Sequence, residues 1–160
     1  MLPRFDRYLR FSRMAREIYA DYSDLVETFG LDEVWCAVTG TQKFRERGLE
    51  SLENEIHERV KFELGITVSV GASWNKIFAK LGSDYKKPDA TTVISRDTWR
   101  DLVWPLPVGA LLYVGGAARK ILAQFGVKTI GQLAACRRDA LETLMGKMGG
   151  QLHDYANGLD

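Results

Sequence analysis

The spacing of apolar residues near the start of the chain alternates between helical and strand-like periods. Apolar side chains recur at roughly helical spacing over residues 5–20 and again over residues 42–63, and each run predicts a helix with one apolar face. Between them, residues 31–39 are rich in Val and Trp and are flanked by glycines. This pattern predicts a strand that pairs with residues 24–28 in a hairpin.

A second strand–helix–strand pattern follows. Apolar and small or polar residues alternate over residues 66–72, which predicts a half-buried strand. Ser73 is the predicted cap of a helix that runs through Leu81. The stretch TTVI at residues 91–94 predicts another short strand, and Ser95 is the predicted cap of the helix after it.

The chain changes character at about residue 95. Beyond that point we find no strand pattern, only apolar runs of helical period separated by glycines. The first part therefore predicts an α+β layer with helices on one face of a sheet, and the second part predicts an all-helical unit. We place the boundary between residues 1–94 and residues 95–160.

Composition adds little that is specific to one function. The 160 residues are 46% hydrophobic and 27% charged with a net charge of +1, so charge alone does not indicate a nucleic-acid partner. The two cysteines, Cys36 and Cys136, lack the spacing of a disulfide framework or zinc site, and Cys36 is predicted to behave as a small buried hydrophobe. No membrane-length apolar run or signal-type start is present, which favours a cytoplasmic protein without membrane contact.

Two adjacent acids interrupt the apolar run FGLDEVWCAV. Desolvating Asp32 or Glu33 would be costly without a partner. A pair of carboxylates at a strand start suits a hard cation such as Mg²⁺ that also binds substrate phosphates. The alternative is a polar hairpin corner with two solvated acids, and the dipeptide alone leaves both open.

Lysines concentrate in the stretch SWNKIFAKLGSDYKKPDA, which holds four lysines and one acid between Trp74 and Lys87. Lys76 and Lys80 share a helix face, and Lys87 follows the helix end, where Pro88 favours an extended backbone. Such lysines suit a triphosphate. A solvated basic helix end, in which the lysines complement the helix dipole, is the alternative.

A glycine turn divides the stretch LLYVGGAARKILAQFGVKTIGQLAAC. Gly115 and Gly116 allow a tight turn between two predicted helices and expose amide groups at a helix start, where a phosphate can bind. Thr129 and Gln132 have the spacing of a capping box. The layout is that of a helix-hairpin-helix module, which holds DNA backbone without reading bases. A plain helical hairpin remains open as an alternative.

The histidines and tryptophans receive structural interpretations. His57 and His153 have no partner at ligand spacing, and we expect surface positions for both. Core or interface packing is expected for the four tryptophans, which are Trp35, Trp74, Trp99 and Trp104.

Taken in order, three segments resemble a known family. VETFGLDEVWCAVTG, then GITVSVGASWNKIFAKLGSDYKKPDATTVI, then LLYVGGAARKILAQFGVKTIGQLA are together similar to the Y-family DNA polymerases of the DinB/UmuC type. The similarity covers nearly the whole chain, and the lysine segment is its most specific part. It implies an incomplete ferredoxin-like palm sheet in residues 1–94 and a small helical thumb in residues 95–160. It also implies translesion synthesis, in which DNA is copied past damaged bases with two magnesium ions.

The resemblance assigns roles to individual residues. Asp32 and Glu33 match the acids of a Ser-x-Asp-Glu motif and are the implied catalytic and metal-binding residues. Lys87 matches the lysine that holds the β- and γ-phosphates of the incoming nucleotide, whereas Lys76 and Lys80 receive no firm role. The implied contacts to DNA backbone come from the thumb turn, which consists of Val114, Gly115, Gly116, Ala117 and Ala118.

The chain departs from the family pattern at three positions. Gly30 stands in place of the motif serine, Ala37 in place of a further acid, and Tyr113 in place of the first glycine of the hairpin turn. The last change weakens the expectation of a close phosphate approach.

The resemblance also implies partners and an expectation about activity. Primer–template DNA and a deoxynucleoside triphosphate are the implied ligands, and a sliding clamp is an implied partner through regions outside this chain. The family's first strand, with another catalytic aspartate, and its fingers have no counterpart in these residues. We therefore expect a polymerase fragment that is inactive alone. The alternative function is a non-catalytic module that binds DNA backbone through the thumb turn.

Overall fold

The computed structural model describes residues 4–160, so the first three residues of the predicted palm portion lie outside the described range. Two of the sequence predictions at this end are confirmed. Helix α1 (Phe5–Ala20) covers the predicted run, and strands β1 (Val26–Phe29) and β2 (Glu33–Cys36) form the predicted antiparallel hairpin. Its short connection brings the end of β1 directly opposite the start of β2.

The single helix predicted over residues 42–63 is wrong, because the structure contains two. Helix α2 (Gln42–Arg47) ends at Gly48, and helix α3 (Leu49–Leu64) begins directly after it. Gly48 has φ +75°, in the left-handed region that glycine adopts most readily. The apolar period continues across this break, which is why periodicity alone did not reveal it.

A parallel β–α–β unit follows α3. Strand β3 (Val70–Ala72) pairs in parallel with strand β4 (Thr91–Val93), and helix α4 (Lys76–Tyr85) connects them. The strand predicted from residue 66 is therefore paired only over its last three residues.

Two predicted helix caps are wrong. The side chain of Asn75 caps α4 by accepting a hydrogen bond from the Phe78 amide, whereas the Ser73 hydroxyl donates to the Ile94 carbonyl at 3.0 Å. Ser95 bonds to the Thr98 hydroxyl instead of capping the next helix.

The described residues after position 95 contain no strand longer than an isolated bridge, as predicted. The capping box of Thr129 and Gln132 is confirmed at the start of the helix Ile130–Ala135. The elements are α5 (Trp99–Val103), a 3₁₀ turn (Val108–Ala110), α6 (Gly116–Gln124), α7 (Ile130–Ala135), α8 (Arg138–Met145) and α9 (Lys147–Ala156).

The sheet differs from the predicted one in two respects. Within residues 4–160 the strands form two separate two-stranded sheets, β1–β2 and β3–β4, and not one continuous sheet. Helices also contact both sides of β3. Val70 packs against a cluster from α1 and α3, whereas Gly71 lies against α4, and adjacent strand residues point to opposite faces. The predicted mixed α/β architecture is confirmed. The prediction that helices cover one face of the sheet is wrong for β3, because helices contact both of its faces.

Two apolar clusters support the fold. The smaller one joins α1 to α3 through Ile18, Leu52 and Val60. The larger one joins the buried face of α4 to the helices after residue 95, and it includes Trp99 as a buried residue with Trp74 and Trp104 packed against it. The packing role expected for these three tryptophans is confirmed. The boundary between residues 94 and 95 stays a prediction.

Two minor expectations need comment. His57 is buried and bonded to Asp89, so its predicted surface position is wrong. A helical period marks which face of α3 is apolar, but it cannot show that a polar residue on another face is covered by a distant loop. Cys36 is half-buried, and burial raises the pKa of its thiol to about 11, which makes it an inert side chain.

Candidate functional site

The acidic pair lies at the tight turn between β1 and β2. Gly30 occupies the turn with φ +78°, and Asp32 follows it as an exposed turn residue. Helix α1 holds this turn, because Ser12 donates to the Leu31 carbonyl. The strand begins only at Glu33, so the rule that adjacent strand residues face opposite ways does not apply to the pair. Asp32 is free to face solvent at the corner.

Glu33 belongs to a network of four charged residues from two distant parts of the chain. Its Oε1 accepts a hydrogen bond from Lys80 Nζ at 2.6 Å and lies 4.0 Å from Lys87 Nζ. Asp84 bridges the same two lysines, 2.9 Å from Lys80 and 2.6 Å from Lys87. We call Glu33, Lys80, Asp84 and Lys87 the charge network. It brings a predicted metal ligand next to the predicted triphosphate lysine.

The two lysines of the charge network differ in how far they are buried. The Lys80 side chain is 15% exposed, whereas that of Lys87 is 49% exposed. Burial opposes the charge of Lys80, but the hydrogen bonds that its ammonium group donates to Glu33 and Asp84 outweigh burial, so the pKa of Lys80 is raised. Burial likewise opposes ionisation of Asp84, and the two lysines outweigh it and lower the pKa of Asp84. Lys80 and Asp84 are therefore both charged near neutral pH.

Sequence reasoning missed part of this arrangement. Lys76 and Lys80 share a helix face, yet only Lys80 joins the network, while Lys76 pairs with Glu27 and lies over the Trp35 ring. In the sequence, Asp84 stands out only as the one acid among four lysines. Its spacing, four residues after Lys80 and three before Lys87, was the signal that it links them.

The donor set fits a magnesium site only in part. Asp32 and Glu33 supply two carboxylates, the ligands that Mg²⁺ prefers, and Mg²⁺ commonly takes one or two of these together with substrate phosphates. Nowhere in residues 4–160 do three or more His, Cys, Asp or Glu side chains form a group suited to a metal. A complete two-ion site therefore requires ligands in addition to those that the described chain supplies.

The predicted DNA-binding turn lies at the start of α6. Val114 is buried and anchors it, whereas Gly115, Gly116 and Ala117 are exposed and Ala118 is half-buried. Because α6 has nine residues, its first turn presents free amide groups and the positive end of the helix dipole to solvent. Arg119 and Lys120 are exposed one turn further on, so the surface is electropositive.

The chain before this turn differs from the prediction. Residues 111–115 are not helical, and the element preceding them is a three-residue 3₁₀ turn. A regular α-helix therefore does not directly precede the turn, and the helix-hairpin-helix arrangement stays a prediction. Tyr113 adopts φ +70°, the backbone conformation that the glycine of the family pattern would adopt more easily.

Comparison with known proteins identifies the class. The model of the impB/mucB/samB family matches residues 1–84, which is more than half of the chain. The chain belongs to the impB/mucB/samB family. This confirms the resemblance to Y-family polymerases that the three motifs indicated.

Individual relatives are consistent with this assignment. The chain is 52% identical over 153 residues to "DNA polymerase IV" of Acetivibrio thermocellus, covering 96% of the chain and 38% of that relative. It is 40% identical to "DNA polymerase IV 1" of Bacillus subtilis, covering 98% of the chain and 37% of that relative. The chain thus spans less than two fifths of the length of these curated relatives.

Solved structures show the same fold. The crystal structure of DinB from Sulfolobus solfataricus aligns with a TM-score of 0.84 and 26% identity over 97% of the chain and 46% of that structure. An insertion ternary complex of Dbh DNA polymerase aligns with a TM-score of 0.85 and 26% identity over 97% of the chain and 45% of that structure. Among the described residues, no helix has the length and apolarity of a membrane span.

Proposed function

We propose that this chain forms the palm portion (residues 1–94) and thumb (residues 95–160) of a translesion DNA-directed DNA polymerase. The reaction is template-directed transfer of a nucleotide from a deoxynucleoside triphosphate to a primer end. One observation carries the proposal: Glu33 at the hairpin turn lies 2.6 Å from Lys80 and 4.0 Å from Lys87. Nucleotidyl transfer needs carboxylates for metal ions and cations for a triphosphate in one place, and this network supplies both.

The acidic pair has the metal-binding role. Asp32 and Glu33 would hold Mg²⁺, which when bound stabilises the charge of the transferring phosphoryl group. Glu33 is neutralised by Lys80 in the structure, so a positive group already occupies the place next to its carboxylate. A metal ion there would compete with Lys80 for Glu33, and Asp84 would remain as the partner of Lys80.

Lys87 has the triphosphate role. Its ammonium group is half-exposed and held by Asp84 at 2.6 Å, so it can exchange that carboxylate for phosphate oxygens without leaving a buried charge unpaired. A lysine acts there as a mobile point charge that follows the β- and γ-phosphates.

The thumb turn has the DNA-backbone role. The exposed amides of Gly115, Gly116 and Ala117 at the start of α6 would bind a phosphate, with Arg119 and Lys120 adding positive charge. This surface also supports the second candidate function, a non-catalytic module that binds DNA backbone. The two differ in whether the charge network is needed for function.

The chain by itself is proposed to be inactive in nucleotide transfer. Two adjacent carboxylates cannot clamp two metal ions, and no group of three or more potential metal ligands occurs among the described residues. A primer-extension assay with the isolated 160-residue chain and Mg²⁺ should show no incorporation, and robust metal-dependent extension would contradict this part of the proposal.

A chimaera tests the polymerase function itself. The matching 153-residue region of the Acetivibrio thermocellus relative is replaced by this chain, and primer extension is measured with and without EDTA. We expect Mg²⁺-dependent extension that Asp32→Asn abolishes and Lys87→Ala weakens mainly through KM for the nucleotide. A folded chimaera with unchanged activity after Asp32→Asn would reject the metal assignment. Retained DNA binding with no activity would favour the second function.

The proposal also includes a compartment and a partner. Action in the cytoplasm is supported by the two unpaired cysteines, which suit a reducing compartment. A sliding clamp as a partner is supported by the family resemblance alone.

A further inference from the structure

A second polar cluster lies just beyond Lys87 along the chain, outside the charge network. The carboxylate of Asp89 uses both oxygens: Oδ1 lies 2.7 Å from His57 Nε2, and Oδ2 accepts from Lys61 Nζ at 2.7 Å. Two residues on, the Thr91 hydroxyl donates to the Asn54 side chain at 3.1 Å. We call Asn54, His57 and Lys61 the α3 clamp.

The clamp residues share one face of a helix. Positions 54, 57 and 61 are separated by three and four residues, so their side chains point the same way from α3. That face holds the segment that leads from Lys87 into β4. His57 is the central member, and it is 9% exposed, although the histidine side chain is normally found nearer to solvent.

The backbone conformation of Asp89 is unfavourable, so the segment between Lys87 and β4 needs stabilising contacts. Asp89 has φ +55°, in the left-handed region that costs an L-residue roughly 1 kcal/mol or more. The Asp89 carboxylate is the acceptor in both hydrogen bonds. Hydrogen bonds to an ionised group are stronger than those between neutral groups. Hydrogen bonds from Lys61 and, to a smaller extent, from His57 lower the pKa of Asp89, so it accepts from both as a carboxylate.

The α3 clamp restricts Lys87 because Asp89 lies only two residues after it. Two residues of chain span at most about 7 Å, so fixing Asp89 restricts where the Lys87 backbone can lie. The ammonium group of Lys87 is meanwhile held by ion pairs with Glu33 and Asp84 that are partly exposed to solvent, and such pairs are weak. The backbone anchor therefore determines the reach of the ammonium group more than its present ionic partners do.

We propose that His57 and Asp89 are positioning residues for triphosphate binding, acting through Lys87. This inference rests on the proposed triphosphate role of Lys87. The α3 clamp keeps the segment after Lys87 in one conformation, so that the ammonium group is held near Glu33 when the phosphates arrive. Neither His57 nor Asp89 contacts the ligand.

Binding of inorganic tripolyphosphate to the 160-residue chain tests the inference without requiring catalysis. Affinity is measured by calorimetry in EDTA, so that metal ions play no part. We expect His57→Leu to weaken binding about fivefold, in the range found for coupled neighbours, and His57→Gln, which keeps a donor near the Nε2 position, to bind within about twofold of the original chain. His153→Leu is the matched control and should leave affinity unchanged.

Two further variants separate positioning from folding. Asp89→Gly removes the hydrogen bonds to His57 and Lys61 but adopts the positive φ freely, and it should weaken binding while remaining folded by circular dichroism. In a Lys87→Ala background, His57→Leu should cause no further loss, because its effect passes through Lys87.

The outcomes distinguish the two levels of the proposal. If Lys87→Ala binds tripolyphosphate as well as the original chain, the triphosphate role fails and this inference fails with it. If Lys87→Ala weakens binding but His57→Leu and Asp89→Gly do not, only the positioning role is overturned. An equal loss from His57→Leu with and without Lys87 would also overturn it.

Discussion

Gly71 in β3 lies so close to Ala79 in α4 that a Cβ atom on the glycine would be 2.0 Å from the Ala79 carbonyl oxygen. The same Cβ would be 2.2 Å from the Ser83 amide nitrogen. Both neighbours are backbone atoms of one helix, so neither can move without moving α4. Because α4 carries Lys80 and leads to Lys87, the absence of a side chain at Gly71 sets where the charge network forms.

Gly71→Ala is accordingly expected to be strongly destabilising. The inserted methyl group forces α4 away from β3, and overpacking of this kind costs about 3 kcal/mol or more in free energy of unfolding. Urea unfolding followed by tryptophan fluorescence measures the loss. Gly40→Ala is the matched control, since nothing lies within 4 Å of its Cβ, and its effect should stay within about 0.5 kcal/mol. Equal stability of the two variants would contradict the close approach.

Glu53 predicts a pH dependence of stability. It is buried on α3 with Oε2 lacking a partner among the described residues, and desolvation, aided by Glu50, raises the pKa of its carboxyl to about 7. The unfolded chain loses this proton near its ordinary value, whereas the folded chain retains it to about 7. Stability contributed by the protonated form is therefore lost as pH rises from about 4.5 to 7.

Glu53→Gln removes that penalty, because the amide stays neutral. We expect the variant to be more stable than the original chain at pH 8 by at most about 3 kcal/mol, and to differ little at pH 4. Chemical unfolding at several pH values checks this. A stability difference that does not change with pH would show that Glu53 titrates normally.

The capping box at the start of α7 predicts a local stability effect. Thr129 accepts from the Gln132 amide at 3.2 Å, and Gln132 Oε1 accepts from the Thr129 amide at 3.1 Å. Thr129→Ala should lower the free energy of unfolding by about 1 kcal/mol. Thr143→Ala, an exposed threonine within α8, is the control and should change stability by less than about 0.5 kcal/mol. The prediction fails if the two variants unfold together.

The proposed DNA-backbone contact can be separated from folding by a charge change. Ala117→Glu places a carboxylate in the first turn of α6, where the helix dipole favours it but a DNA phosphate would be repelled. We expect DNA affinity to fall with no loss of thermal stability, when measured by fluorescence anisotropy and calorimetry. Ala123→Glu, exposed near the other end of the same helix, is the matched control.

Salt provides the companion measurement. Binding through phosphates should weaken linearly in log affinity against log salt and be indifferent to DNA sequence. Ala117→Glu should make that slope shallower if the turn contacts phosphate. A salt-independent or sequence-specific interaction would contradict the assignment.

Local sequence patterns determined the elements whose cause is local. Helix α1, the β1–β2 hairpin, strand β4 and the capping box of α7 all agree with prediction, since period, turn residues and caps act within a few positions. The break at Gly48 was missed because the apolar period continues across it. The cap at Asn75 was missed because Ser73, two residues earlier, offered an equally good local signal.

Local sequence patterns could not predict which distant residues form ion pairs or hydrogen bonds. The sequence indicated an acidic pair and a lysine helix, but not that Lys80 and not Lys76 would meet Glu33, 47 positions away. His57 illustrates the same point, because only the path of the chain after Lys87 brings Asp89 to it.

By itself, the amino-acid sequence determined the class of protein, most of the helices and strands, and which residue types carry charge at the candidate site. Only the tertiary structure decided which charges pair, which are buried and which remain open to ligand. The physical reason is that pairing and burial depend on the close packing of α3 and α4 around the short strands, and that packing is set by contacts between residues far apart in the chain.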